Sequence, residues 1–164
     1  MHVVIATAGA LPPGPVADFV GSIWQDTFRV SVMTAIQVPR GFLDDLEADD
    51  WSPLTDEEPI SRDDAVAAYV GERGARLAEP ILAALDARGI AAQPIFVDGS
   101  DPADAIVATA ERLGANLIVM GATKKLFEES SWTSISAQVV DRTRIPTLVV
   151  PGARADLDPD DTGD

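Results

Sequence analysis

A chain of 164 residues with no cysteine and one histidine excludes disulfides, thiolate metal sites and cysteine nucleophiles, and leaves no material for a histidine metal cluster. Its 12 basic and 27 acidic residues give a formal charge of −15, which speaks against a phosphate-binding patch and so against nucleic acid as a partner. The opening MHVVIATAG has no basic n-region, and no uncharged apolar stretch reaches the ~18 residues of a membrane helix, so a soluble, cytoplasmic protein without a membrane partner is expected.

The charge is uneven. Residues 44–64 hold ten acids against Arg62, and residues 156–164 hold five. Both segments read as peripheral, solvated chain; an acidic docking surface for a protein partner is the sharper alternative. The expected organisation is one domain over 1–151, with an acidic inserted loop at 40–60 and a disordered acidic tail at 152–164. Hydrophobic content is 46% but aromatic content only 5%, so the core should be Val, Ile, Leu and Ala.

In chain order, Val3–Thr7 is a continuous β-branched run of the kind that suits a parallel strand covered on both faces. After a Gly/Pro-rich turn, a helix is predicted from about Pro15 to Gln25, with Val16, Phe19, Val20 and Ile23 on one stripe. Arg29–Val38 reads as the second strand, stopped by Pro39. The long stretch 40–60 then breaks the pattern. Its Phe42, Leu43, Leu46, Trp51 and Leu54 argue that part of it packs down as a flap or short helix.

Ser61 with Asp64 has the form of an N-cap and its answering acid. Apolar residues at helical spacing follow to about Arg88, with Pro80 expected to kink the helix and Gly89 to close it. Ala91–Val97 is the third strand. Asp101-Pro102 opens another helix, whose buried stripe is Ile106, Val107, Ala110 and Leu113 and which ends at Gly114. Leu117–Met120 is the fourth strand, a helix begins near Thr133 or Ser134, and Thr147–Val150 is the fifth strand. Strands alternating with helices predict an α/β protein with a parallel sheet between helical layers. Ligands of such sheets bind at the carboxyl ends of the strands, where the strand order reverses. Here that crevice falls at Thr7–Ala10, the residues after Val38, and Gly121 onward.

Two runs, FVDGSDPADAIVATAERLGANLIVMGATKK (96–125) and SISAQVVDRTRIPTLVVP (134–151), fix order and spacing over much of the chain, and in this they resemble the universal stress protein family. The likeness covers about 1–39 and 61–151. It implies a flavodoxin-like (Rossmann-like) three-layer sandwich whose five-stranded parallel sheet has the order 3-2-1-4-5. It also implies a non-enzymatic regulatory role, and a homodimer in which the last strands, Thr147, Leu148, Val149 and Val150, meet. That strand is an apolar edge, which is a liability unless paired or covered.

Family members that bind ATP carry an Asp at the end of the first strand and a signature of Gly, two residues, Gly, nine residues, Gly, then Ser or Thr. Glycines let the backbone approach phosphates, and the helix N-terminus holds them. Here Ala8 stands where the Asp would be. Gly121 matches the first glycine, Lys124 replaces the second, Thr133 the third, and Ser134 takes the hydroxyl position with the spacing one residue short. Glu128 and Glu129 add negative charge to the loop. The expected reading is therefore no cofactor, no metal and no catalytic residue, with ATP not bound in the family's usual way. The alternative is an ATP or AMP site in which Lys124 and Lys125 replace lost backbone contacts by charge. Its candidate residues would be Thr7, Ala8, Gly9, Val38, Met120, Gly121, Lys124, Lys125, Thr133 and Ser134. An enzyme of another flavodoxin-like type ranks last, since no histidine is available in the crevice and no Asp pair stands at the first strand end for Mg²⁺.

Overall fold

The computed structural model describes residues 1–47, 61–122 and 134–151. The order is β1 (His2–Ala6), α1 (Pro13–Ile23), β2 (Arg29–Ile36), α2 (Arg40–Glu47), α3 (Arg62–Asp86), β3 (Ala92–Asp98), α4 (Pro102–Arg112), β4 (Leu117–Gly121), α5 (Ile135–Arg142) and β5 (Thr147–Val150). All strand pairs are parallel and the sheet order is β3-β2-β1-β4-β5. This is the α/β sandwich and strand order expected.

The inner strands β2, β1 and β4 are buried on both faces because they alternate two sets of apolar residues. Val3, Ile5, Val30 and Val32 face α1 and α3, meeting Val16, Val20, Ile81 and Leu85. Val4, Met33 and Ile118 face α4 and α5, meeting Ile106, Val107, Ala110 and Val139. The whole of β1 is buried, which is why it reads as an unbroken apolar run.

The capping residues set the helix positions. Ser61 Oγ accepts the Asp64 N–H at 3.1 Å, and Asp101 Oδ1 accepts those of Ala103 and Asp104 at 3.0 and 3.1 Å. Gly89 and Gly114 have φ of +71° and +63°, the left-handed conformation that closes α3 and α4. Helix α3 approaches β2 and β3 through Gly74. A Cβ there would stand 2.6 Å from Phe96 Cδ1 and 2.8 Å from Thr34 Oγ1. That hydroxyl is buried and has no hydrogen-bond partner, so packing alone holds the contact.

Some boundaries differ from the sequence reading. Helix α1 begins at Pro13, because prolines are tolerated in a first turn and both Pro13 and Pro15 fall there. Helix α3 ends at Asp86, close to the expected end near Arg88, with Pro80 inside it as expected. β2 ends at Ile36, leaving Gln37-Val38-Pro39 as connection. The start of the acidic stretch is helical, as α2, and the Phe42 ring packs 5.0 Å from that of Tyr69 on α3. The expected loop over 48–60, including Trp51 and Leu54, and the expected tail over 152–164 lie outside the described residues.

His2 lies at the amino end of the sheet. Its Nδ1 is 3.1 Å from the Leu113 carbonyl, which only accepts, so Nδ1 carries the proton and Nε2 pairs with Ser31 Oγ at 2.9 Å. The histidine therefore ties β1, β2 and the end of α4 together, at the end of the sheet opposite the crevice.

Candidate functional site

The crevice forms where β1 and β4, neighbours in space, are followed in the chain by helices on opposite faces of the sheet, α1 on one and α5 on the other. After Ala6 the chain turns sharply. Thr7 N–H donates to the Met33 carbonyl at 3.0 Å, and Thr7 Oγ1 accepts the Gly9 N–H at 3.0 Å. Gly9 has φ +87°, and a Cβ on it would lie 2.8 Å from Leu77 Cδ2 of α3. The turn thus needs glycine twice over, for its backbone and for its closeness to α3. It carries Leu11 inward until its Cδ1 stands 3.5 Å from where a Cβ on Gly121 would be.

A cavity of about 140 Å³ results. Its walls are Ala6, Thr7, Ala8, Ala10 and Leu11 from β1 and its turn, Met33 and Ala35 from β2, and Pro102 and Ile106 from α4. Met120, Gly121, Ala122 and Ile135 complete it. Ala8, Ala10 and Ala122 are exposed and form its mouth. Among these described residues Thr7 alone has a polar side chain, and its hydroxyl oxygen is already bonded to its own turn.

The candidate residues divide. Thr7, Ala8, Met120 and Gly121 are brought together in this cavity. Gly9 shapes the turn instead. Val38 lines a neighbouring groove with Arg40, Asp98, Asp101 and Asp104. Ser134 caps α5, accepting the Ala137 N–H at 3.2 Å and sharing a bond with Ser136 Oγ at 3.1 Å. Lys124, Lys125 and Thr133, with Glu128, Glu129 and Trp132, lie outside the described residues. Leu11, Met33, Ala35, Ile106 and Ile135 belong to the cavity but were not among the candidates. They read as ordinary core positions, and only the fold shows that their stripes converge at one strand end.

Beside the cavity, Arg142 of α5 donates to Asp101 Oδ2 at 2.7 Å and to Gln138 Oε1 at 2.9 Å. The Arg142 guanidinium, helped by the backbone N–H of Asp104, holds the Asp101 carboxyl below the usual carboxylate range. The Arg142 guanidinium is in turn held above its ordinary range by Asp101. No group of three or more His, Cys, Asp or Glu able to hold a metal occurs among the described residues. Nor is any described helix long and apolar enough to cross a membrane.

At the far edge, β5 pairs only with β4 among the described strands. Val149 is 38% exposed there, and Val140 on α5 is 53% exposed.

Sheet order and crevice together define a parallel α/β protein with a cavity at its switch point. The sequence profile of the universal stress protein family matches residues 31–151, most of the chain, and the protein belongs to that family. No curated protein matches the sequence significantly. Solved structures do. Hypothetical protein MJ0577 is similar at 20% identity over 94% of this chain and 97% of its own, with a TM-score of 0.64. A universal stress protein family member from Burkholderia pseudomallei is 18% identical over 92% and 96%, with a TM-score of 0.58. A universal stress protein family protein from Arabidopsis thaliana, solved with AMP bound, is 14% identical over 98% and 97%, also at 0.58.

Proposed function

We propose that this member of the family is a non-enzymatic regulatory protein, dimeric through β5, whose crevice does not hold ATP in the family's usual way. One observation carries the reading. Where ATP-binding relatives place an Asp, this chain has the methyl group of Ala8, and the one polar side chain of the described cavity wall, Thr7, already accepts a bond from Gly9. Of that side chain, only the hydroxyl hydrogen and one lone pair remain to offer a ligand. A base buried against such a wall leaves polar edges unpaired, at roughly 1–3 kcal/mol for each group.

A second reading is favoured by the Arabidopsis thaliana relative, which carries AMP. In it Lys124 and Lys125 supply charge to a phosphate that the altered loop no longer cradles by its backbone. Calorimetric titration separates the two. The first predicts no heat of binding with ATP or AMP up to millimolar concentration. The second predicts micromolar binding that weakens markedly in Lys124→Ala, and that result would displace the first.

A further inference from the structure

We infer that the crevice is a site for an uncharged, ring-sized apolar molecule. This rests on the reading that it does not take ATP, and it names what the same cavity can take.

Three observations converge. The first is size. The cavity is about 140 Å³, and an apolar cavity of about 150 Å³ is enough to take benzene. The second is the origin of that space. Ala6, Ala8, Ala10, Ala35, Gly121 and Ala122 present at most a methyl group to it, whereas the layers just below are filled by Val, Ile and Met. The cavity is therefore written into the sequence by small side chains at one strand end. The third is chemistry. Apart from Thr7 the side chains of the described wall are hydrocarbon or, at Met33 and Met120, thioether. Thioether sulfur makes favourable contacts with aromatic rings. The formal charge of −15 opposes a polyanion but not a neutral molecule.

The mouth is compatible with entry. Ala8, Ala10 and Ala122 are exposed, so a ring can enter with one edge left in water. A molecule of this kind is recognised by shape and desolvation, with the Thr7 hydroxyl hydrogen as the one side-chain donor available to orient it.

The chain carries its own reporters. Of its three methionines, Met33 and Met120 line the cavity, while Met1 is 44% exposed elsewhere. Protein labelled with ¹³C at the methionine methyl groups is titrated with indole. The Met33 and Met120 signals should shift saturably in the low-millimolar range while Met1 stays fixed. Ala8→Phe and Ala122→Phe, each placed at the exposed mouth, should each abolish the shifts. No movement of Met33 and Met120, equal movement of Met1, or shifts that survive both plugging variants would overturn the inference. A parallel titration with ATP keeps the two levels apart. If ATP is silent and indole fails, only this inference falls. If ATP moves Met33 and Met120 saturably, the reading beneath it falls as well.

Discussion

The Gly9 N–H donates to Thr7 Oγ1 at 3.0 Å, so the turn that forms one wall of the crevice is closed by the polar side chain that the crevice most needs. Gly9 makes this possible at φ +87°, with Leu77 immediately beside it. Gly9→Ala combines a strained backbone with a Cβ 2.8 Å from Leu77 Cδ2. It should cost about 1–3 kcal/mol in denaturant unfolding. A loss under a few tenths of a kcal/mol would mean that the turn rearranges freely.

Two glycines of α3 predict opposite outcomes for the same change. Gly74→Ala drives a methyl group against Phe96 and Thr34 and should destabilise by roughly 1–3 kcal/mol. Nothing lies within 4 Å of a Cβ at Gly71, so Gly71→Ala gains helix propensity and should stabilise by about 0.5–1 kcal/mol. Urea midpoints of the two variants should fall on either side of the parent. Two shifts of the same sign would contradict the close approach of α3 to the sheet at Gly74.

The Asp101–Arg142 pair predicts a pH dependence. The folded-state carboxyl of Asp101 is held below its unfolded value, so the unfolded chain binds its proton first as pH falls. Its contribution is complete above the unfolded pKa of about 3.9 and is lost as pH drops through the lower folded value. Asp101→Asn keeps a good N-cap residue but removes the titrating group. Thermal unfolding at pH 7 and near pH 3 should show a smaller acid-induced drop in the variant than in the parent. An equal drop would assign the acid sensitivity to other carboxylates.

The dimer expectation rests on β5, an apolar edge with Val149 38% exposed. Unpaired strand edges of this composition recruit partners. Val149→Asp should convert a dimer into monomer or aggregate, read by light scattering on a sizing column. A variant that still elutes as a dimer would place the interface elsewhere.

Much of the fold was legible because local signals agreed with one another. Ser61, Asp101 and Ser134 are caps in sequence and in structure, and Gly89 and Gly114 close their helices. The unbroken apolar run of β1 announced a strand covered on both faces. The apolar residues Phe42, Leu43 and Leu46 pointed to a flap or short helix at the start of the acidic insert, and helix α2 lies there; the contact of Phe42 with Tyr69 is tertiary and was not legible in the sequence. The site was less legible for the same reason. Ala8 and Gly121 stand out from the pattern at the strand ends. Met33, Ile106 and Ile135 come from three elements far apart in sequence, and nothing local distinguishes them from core.

Whether this crevice is an ATP site of the family's usual kind can be measured directly. Protein purified without added ligand is denatured, and the released small molecules are measured by mass spectrometry. No ATP, ADP or AMP is expected above trace levels. Stoichiometric nucleotide would contradict that expectation and would hand the crevice to the lysine-assisted reading.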